Sequence, residues 1–272
     1  MKFKFLSALS IVLIVSACSK VPISKRSQMN LLPESEMISM SLTSYGDFLK
    51  KNPPVTTGSD AMMVKNVGAK IQNAVTQYMN KNKLSDRIKG YKWEYNLVNN
   101  NEVNAWCMPG GKVVVYSGLL PVTQNEQSLA IVMGHEIAHA IARHGNERMS
   151  QSLLVAAGGI GLDLYMQQKP EQTRNIFMGL YGISATGTML AFSRNQETEA
   201  DKLGLVFAAM AGYDPHVAIG FWERMAAKSH SGATGGVDYY IKKYTSTHPP
   251  DDVRIRDLKA YMPEAMKYYH SK

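Results

Sequence analysis

Six residues, Gly134-His135-Glu136-Ile137-Ala138-His139, constrain this chain more than any other stretch. They lie in an apolar, helix-forming segment, and one helix from Thr123 to about Asn146 is predicted around them. Residues four apart share a helix face, so His135 and His139 direct two imidazoles from adjacent turns at one point. A metal ion can be held there. Glu136, one residue on from His135, then stands beside the metal rather than on it, where a general base takes a proton from metal-held water. An amphipathic helix with two incidental histidines satisfies the same short pattern. A third ligand, a substrate platform and a cellular address must therefore come from the rest of the chain.

A catalytic zinc takes three protein ligands and keeps a fourth position for water. An extended His-x-x-Gly-x-x-His arrangement is excluded, because the positions concerned hold Ala142 and Gly145. His144 lies five residues after His139, about 140° round a continuous helix, and is expected as a surface or core histidine. Glu197-Thr198-Glu199-Ala200-Asp201 is the better source. Ser193-Arg194-Asn195-Gln196 before it is a capping-box pattern opening a helix to about Ala211, with Gly212 at its stop. Glu197 and Asp201, four apart, face the same way. Glu199 lies about 200° round from Glu197 and points elsewhere. Such a carboxylate pair is ordinarily a solvated face. Beside a histidine helix it divides the labour: Glu197 on zinc, Asp201 holding a ligand histidine through its other N–H.

The elements before the motif supply the platform. A helix is predicted from Glu34 to Lys50, stopped at Pro53-Pro54, and a second from an Asp60 cap to Asn82. Trp93, Tyr95 and Leu97 alternate with polar residues as a half-buried strand, and Asn104–Met108 and Lys112–Tyr116 form a hairpin about Pro109-Gly110-Gly111. Thr123-Gln124-Asn125-Glu126 is a capping-box pattern that starts the metal helix directly after this hairpin. Residues 150–191 are rich in small residues, as in closely packed helices, and Leu153–Met166 is too short and too polar at Asp163 to span a bilayer. Asp214-Pro215 opens a helix to about Lys228, Ser229–Gly236 is a loop carrying His230, and a last helix runs to about Tyr261, with Pro263 peripheral.

The address comes from the start of the chain. Lys2 and Lys4 precede an apolar run, Phe5 to Val15, that ends in Val15-Ser16-Ala17-Cys18, which is similar to a bacterial lipobox. The resemblance implies that residues 1–17 are a leader, cut before a Cys18 that carries lipid; the simpler alternative is an ordinary cut after Ala17. Residues 18–35, polar and holding Pro22 and Pro33, are expected as a flexible tether, and 36–272 as the catalytic domain. Cys107 is the only other cysteine, so a lipidated Cys18 leaves no intrachain disulfide. The formal net charge of +8 includes Lys2 and Lys4, and with no Lys/Arg block the excess suits an anionic membrane surface better than nucleic acid.

Three motifs in this order, Gly134–His139, Ser193–Asp201 and Thr247-His248-Pro249-Pro250, resemble the zinc endopeptidase family that holds HtpX, the mitochondrial Oma protease and the CAAX prenyl proteases. Asn104–Lys112 and Tyr116–Leu120 look like the strand segment of that family. The likeness covers about residue 60 to residue 260 and is nearest to the compact LoiP-type periplasmic lipoproteins. No transmembrane helix is predicted after residue 20, and the tetratricopeptide repeats of BepA have no counterpart.

The resemblance implies an α+β, mainly helical zincin fold with a small sheet. It also implies His135, His139 and Glu197 as ligands of one Zn2+, Glu136 as base, and Asp201 behind a ligand. His248 is placed near the site, either as oxyanion donor or as a fourth ligand that holds the enzyme off, and Arg254 in a buried ion pair. Asn104, Ala105 and Trp106 would receive a protein or peptide substrate as an added strand; alternatively this hairpin only fills the core. The activity implied is hydrolysis of unfolded or misfolded envelope proteins, from the periplasmic face of the outer membrane. A non-catalytic, chaperone-like module of the same fold and a closed metal-binding site are the other readings.

Overall fold

Val113, Val114 and Val115 are all buried, so the strand that carries them is covered on both faces. That double covering organises the molecule. The computed structural model describes residues 18–158, 161–183, 192–229, 235–250 and 252–270. The order is β1 (Cys18–Lys20), β2 (Ser27–Met29), α1 (Glu34–Lys51), β3 (Pro54–Val55), α2 (Ser59–Lys81), β4 (Glu94–Val98), β5 (Ala105–Met108) and β6 (Lys112–Tyr116). There follow α3 (Leu120–Thr123), α4 (Glu126–Ala142), α5 (His144–Ala157), α6 (Leu162–Gln168), α7 (Pro170–Leu180), α8 (Arg194–Met210), α9 (Val217–Ser229), α10 (Gly236–Thr247) and α11 (Asp252–Met266). The fold is α+β and mainly helical.

The main sheet has the order β3-β4-β6-β5, with β4 parallel to β6 and β5 antiparallel to it, Ala105 opposite Val115 and Met108 opposite Lys112. Because side chains alternate along a strand, the sheet feeds two cores. Leu97, Ala105, Cys107, Val113 and Val115 join α2, α4 and α8 in the larger one. Val98, Trp106, Met108, Val114 and Tyr116 face α1, α5 and α7. Strand β5, at the sheet edge, lies alongside α4. Gly110 and Gly111 hold φ of +86° and +81° in the hairpin turn, a region that glycine enters without steric cost.

Several boundaries differ from expectation. The segment expected as a tether is folded over its described length: β1 pairs with β2, Val21 and Leu32 are buried, and Arg26 is tied to two carboxylates of the domain. The leader at 1–17, the loop residues 230–234 and parts of 150–191, at 159–160 and 184–191, lie outside the described residues. No described helix is long and apolar enough to cross a membrane. The predicted cap at Thr123 is displaced to Asn125, because Gln124 turns left-handed (φ +68°) and ends α3.

The single helix expected to reach Asn146 stops at Ala142, where Arg143 is left-handed (φ +61°), and α5 starts on a new axis. Pro215 precedes α9 rather than opening it, and α11 runs on through Pro263 to Met266, where the missing N–H costs one bond near a helix end. Helix α10 is unforeseen. Its buried Ile241, Tyr244 and Thr245, at i, i+3 and i+4, share one helical face.

Candidate metal centre

Two helices build the site, and a side chain caps the start of each. On α4 the Asn125 side chain accepts from the Ser128 backbone N–H at 2.9 Å. On α8 Ser193 Oγ accepts from Gln196 N–H at 3.3 Å while Gln196 Oε1 accepts from Ser193 N–H at 3.0 Å, a complete capping box. The helices cross where glycine faces glycine. A Cβ on Gly204 would stand 2.9 Å from the His135 backbone nitrogen, and one on Gly134 would stand 3.0 Å from the Gly204 carbonyl oxygen. This backbone approach sets Glu197 against His135 and His139.

The donor atoms converge. His135 Nε2 and His139 Nε2 are 3.0 Å apart; Glu197 Oε2 is 3.4 Å from the first and Glu197 Oε1 3.3 Å from the second. Tetrahedral zinc, with bonds of about 2.0–2.1 Å, separates its ligand atoms by about 3.3 Å. Ligand atoms from His135, His139, Glu197 and His248 all lie within 4.8 Å of one another, and all four residues are buried. Glu197 Oε1 and His248 Nε2 are buried without a hydrogen-bond partner, an arrangement costly unless a cation or water meets them. The residues present fit a metal ion.

The electrostatics agree. Burial alone would push the His135 imidazole down, but the charge of Glu197 and hydrogen bonds to Asp201 and Glu197 outweigh it and carry it up to about 9. Burial raises the Glu197 carboxyl, and the facing His248 and His135 bring it well below the usual carboxylate range. The cluster is a place for positive charge.

Around the ligands each partner has a visible task. Asp201 Oδ1 accepts from His135 Nδ1 at 2.9 Å, which fixes the tautomer that leaves Nε2 free for a metal. Arg254 forks onto Asp201 with Nη2 to Oδ1 at 2.7 Å and Nε to Oδ2 at 2.8 Å, and lies 3.4 Å over the Trp222 ring. The structure thus brings Asp201 and Arg254 to His135.

Glu136 is buried, and desolvation raises its carboxyl above the usual range against the pull of His248 and His135. Tyr244 donates to Glu136 Oε1 at 3.2 Å and stacks on His248 at 29°. His248 Nδ1 lies 3.0 Å from Glu197 Oε2, and its Nε2 is 3.9 Å from Glu136 Oε1, so this histidine stands at the fourth corner of the cluster. A cavity of about 60 Å³ lined by Phe192, Glu197, Thr198 and Pro249 opens beside the cluster, room for a few waters.

Sequence reasoning missed Tyr244 because it missed α10. It also left His144 without a partner, since 140° off the ligand face holds only for an unbroken helix. The turn at Arg143 swings His144 back, so that its Nδ1 meets His139 Nδ1 at 2.9 Å and its Nε2 meets Glu199 Oε2 at 3.2 Å. The left-handed position falls on Arg143 and not on Gly145 two residues later, so the sequence did not point to a turn there.

The expected substrate strand lies at the sheet edge, but its side chains face inward. Ala105 and Trp106 are buried, Trp106 packing edge-on against Phe48 and Tyr45. The Asn104 carbonyl accepts from Tyr116 N–H at 3.0 Å, while its side-chain oxygen is buried without a partner. Ala105 and Trp106 are thus covered whole, main chain included.

Residues 66–262 match the model of peptidase family M48. The chain is 32% identical over 211 residues to the mitochondrial metalloendopeptidase OMA1 of Saccharomyces cerevisiae, covering 77% of this chain and 58% of that protein. It is 36% identical over 179 residues to the Schizosaccharomyces pombe protein of the same name, covering 64% and 48%. Against the beta-barrel assembly-enhancing protease of Yersinia pestis it is 28% identical over 247 residues, covering 84% and 48%. The chain thus spans roughly half the length of these relatives.

Proposed function

The chain belongs to peptidase family M48, and from that premise we propose that it is a zinc endopeptidase of the bacterial cell envelope. It hydrolyses unfolded or misfolded protein segments by Glu136-assisted attack of water. The observation that carries this reading is the convergence of His135, His139 and Glu197 beside a buried Glu136. His135, His139 and Glu197 would hold the zinc, which when bound lowers the pKa of its water to about 7 and polarises the peptide carbonyl. Glu136, desolvated and therefore a stronger base than a surface carboxylate, takes the proton of the attacking water and delivers it to the leaving amine.

His248 at the fourth corner has to yield that place to water. Its Nε2, free of other partners, then serves as donor to the developing oxyanion. The substrate adds as a strand at the sheet edge of β5, at Asn104–Trp106, through main-chain hydrogen bonds, which requires the cover that buries Ala105 and Trp106 to move aside and makes selection depend on extended conformation more than on side chains. The lipobox-like Val15–Cys18 supports a lipid anchor on Cys18 and a place on the periplasmic face of the outer membrane.

The test is cleavage of unfolded casein by the purified full chain. Glu136→Gln is expected to abolish cleavage while elemental analysis still finds one zinc per chain; equal cleavage by that variant overturns the mechanism. In the same assay His248→Ala lowers kcat on the order of 10²–10³-fold as an oxyanion donor should. A rise would make His248 a block on the site instead.

A further inference from the structure

Both metal-facing histidines are backed by a carboxylate from α8, and each carboxylate is clamped by an arginine. For His135 the series is Asp201 and then Arg254, from the C-terminal helix. For His139 it is longer: His144, then Glu199, then Arg26, from the turn between β1 and β2. We propose that this N-terminal turn is part of the metal centre, with Arg26 acting through Glu199 and His144 as a positioning residue for the His139 ring. The proposal rests on the reading of His139 as a zinc ligand.

The hydrogen-bond roles follow from one another. If His139 ligates through Nε2, which faces His135 Nε2 and Glu197, its Nδ1 carries the hydrogen and donates it. The atom waiting 2.9 Å away is His144 Nδ1, which must then be an acceptor. His144 therefore carries its own hydrogen on Nε2, and that nitrogen points at Glu199 Oε2 at 3.2 Å. His144 is fully buried, so each of its ring nitrogens needs a partner, and the series supplies both. A neutral ring with one hydrogen can serve only in this orientation.

Glu199 is held in turn. Arg26 Nε donates to both of its oxygens at 2.8 and 3.0 Å, and Ser24 Oγ donates to Oε1 at 2.7 Å. The other edge of the same guanidinium forks onto Glu147, Nη1 to Oε1 at 2.6 Å and Nη2 to Oε2 at 2.7 Å. Glu147 Oε2 also accepts from Gln196 Nε2 at 2.7 Å, so the capping box of the ligand-bearing helix belongs to the same network. One planar guanidinium thus joins α5 to α8, a task that a lysine, with a point charge and no fork, cannot perform.

The turn that presents Ser24 and Arg26 is a demanding one. Ile23 and Lys25 have φ of +65° and +59°, and a branched side chain rarely adopts the first. Val21 N–H to Arg26 carbonyl at 2.9 Å and Lys25 N–H to Val21 carbonyl at 3.0 Å close it, with Val21 buried beneath. A tether would have no reason to hold this shape. A positioning element does.

The experiment uses the full chain with Arg26→Gln, Glu199→Gln and Ser24→Ala. Two quantities are read below the unfolding range: zinc affinity by competition with a chromophoric chelator, and the visible absorption of the cobalt(II)-substituted protein. Loss of an outer partner of a metal-ligating histidine typically weakens affinity 10–100-fold. About tenfold is expected for Arg26→Gln and for Glu199→Gln, with an altered cobalt spectrum and KM for casein little changed. Ser24→Ala, which removes the part-buried bond to Glu199 and the exposed one accepted from Arg26 N–H, moves both readings less and in the same direction, and keeps the test alive if Arg26→Gln fails to fold. A lower melting temperature with zinc affinity and cobalt spectrum unchanged makes the turn merely structural and overturns the proposal. His139→Ala separates the premise from the inference. Unchanged zinc affinity in that variant defeats the ligand reading itself, whereas loss there with no change in the three others defeats only the role of the turn.

Discussion

Tyr244 touches both groups on which the proposed chemistry depends. Its hydroxyl donates to Glu136 Oε1 at 3.2 Å, and its ring stacks on His248. A donor beside a buried carboxylate favours the charged form, the one that accepts a proton from water, and so tempers the upward push of burial on Glu136. Hydrogen bonds to charged groups contribute about 1.5–3 kcal/mol. Tyr244→Phe, which keeps the ring and removes only the hydroxyl, is therefore expected to lower kcat roughly tenfold or more with KM little changed. Steady-state kinetics on a fluorogenic peptide check this, and an unchanged kcat would reduce Tyr244 to packing. The spacing of His135, His139, Glu197 and Asp201 was legible because four residues on a helix bring side chains to one face whatever the tertiary fold. Tyr244 and His144 were not, since their roles depend on where a second helix or a turn places them. Glu199 was read as pointing away from Glu197, and it does. What sequence could not say is that His144 and Arg26 stand where it points.

At the scale of elements, the crossing of α4 and α8 is what makes a clamp of two separate motifs. Gly204 faces backbone rather than side chain: a Cβ there would meet the His135 nitrogen at 2.9 Å and the Gly134 carbonyl carbon and His135 Cα at 3.0 Å. Backbone cannot rotate away, so the helices must part. Alanine gains up to about 1 kcal/mol of helix propensity over glycine, while overpacking a tight contact costs about 1–3 kcal/mol. The second effect should prevail, because the groups that must move carry His135. Gly204→Ala is expected to lower stability by about 1–2 kcal/mol in urea denaturation and to weaken zinc binding as His135 is displaced. A variant as stable as the parent, with zinc affinity intact, would show that the helices have room to spare. The caps at Asn125 and Ser193 show how unevenly local signals translate. The Ser193 box formed as written, whereas the Thr123 box lost to Asn125 once Gln124 turned left-handed. The break at Arg143 carries no glycine or proline to announce it.

For the whole molecule the question is what holds together a chain that spends so much of its interior on charge. Glu136, Glu197, Asp201, Arg254, His135 and His139 are buried within one region. Buried ions stabilise a fold weakly unless every partner is present. Cys107 gives no help as a crosslink, being buried and unpaired, with desolvation pushing its thiol well up. Two apolar cores on either side of one sheet therefore carry the fold, and a metal held by the cluster, binding the assembled site and not the unfolded chain, would add to them. Free zinc a thousandfold above its Kd adds about 4 kcal/mol, which for a domain of this size is on the order of 10 °C in melting temperature. Scanning calorimetry before and after complete chelation should show a loss of that order, reversed by added zinc. His139→Ala should melt near the chelated parent and be indifferent to chelator, since it has no site left to empty. If the parent, shown metal-free by elemental analysis, melts where the loaded protein does, the cluster is satisfied by its own protons and hydrogen bonds. The raised His135 and lowered Glu197 would then be the resting partners of a salt bridge rather than the imprint of a cation.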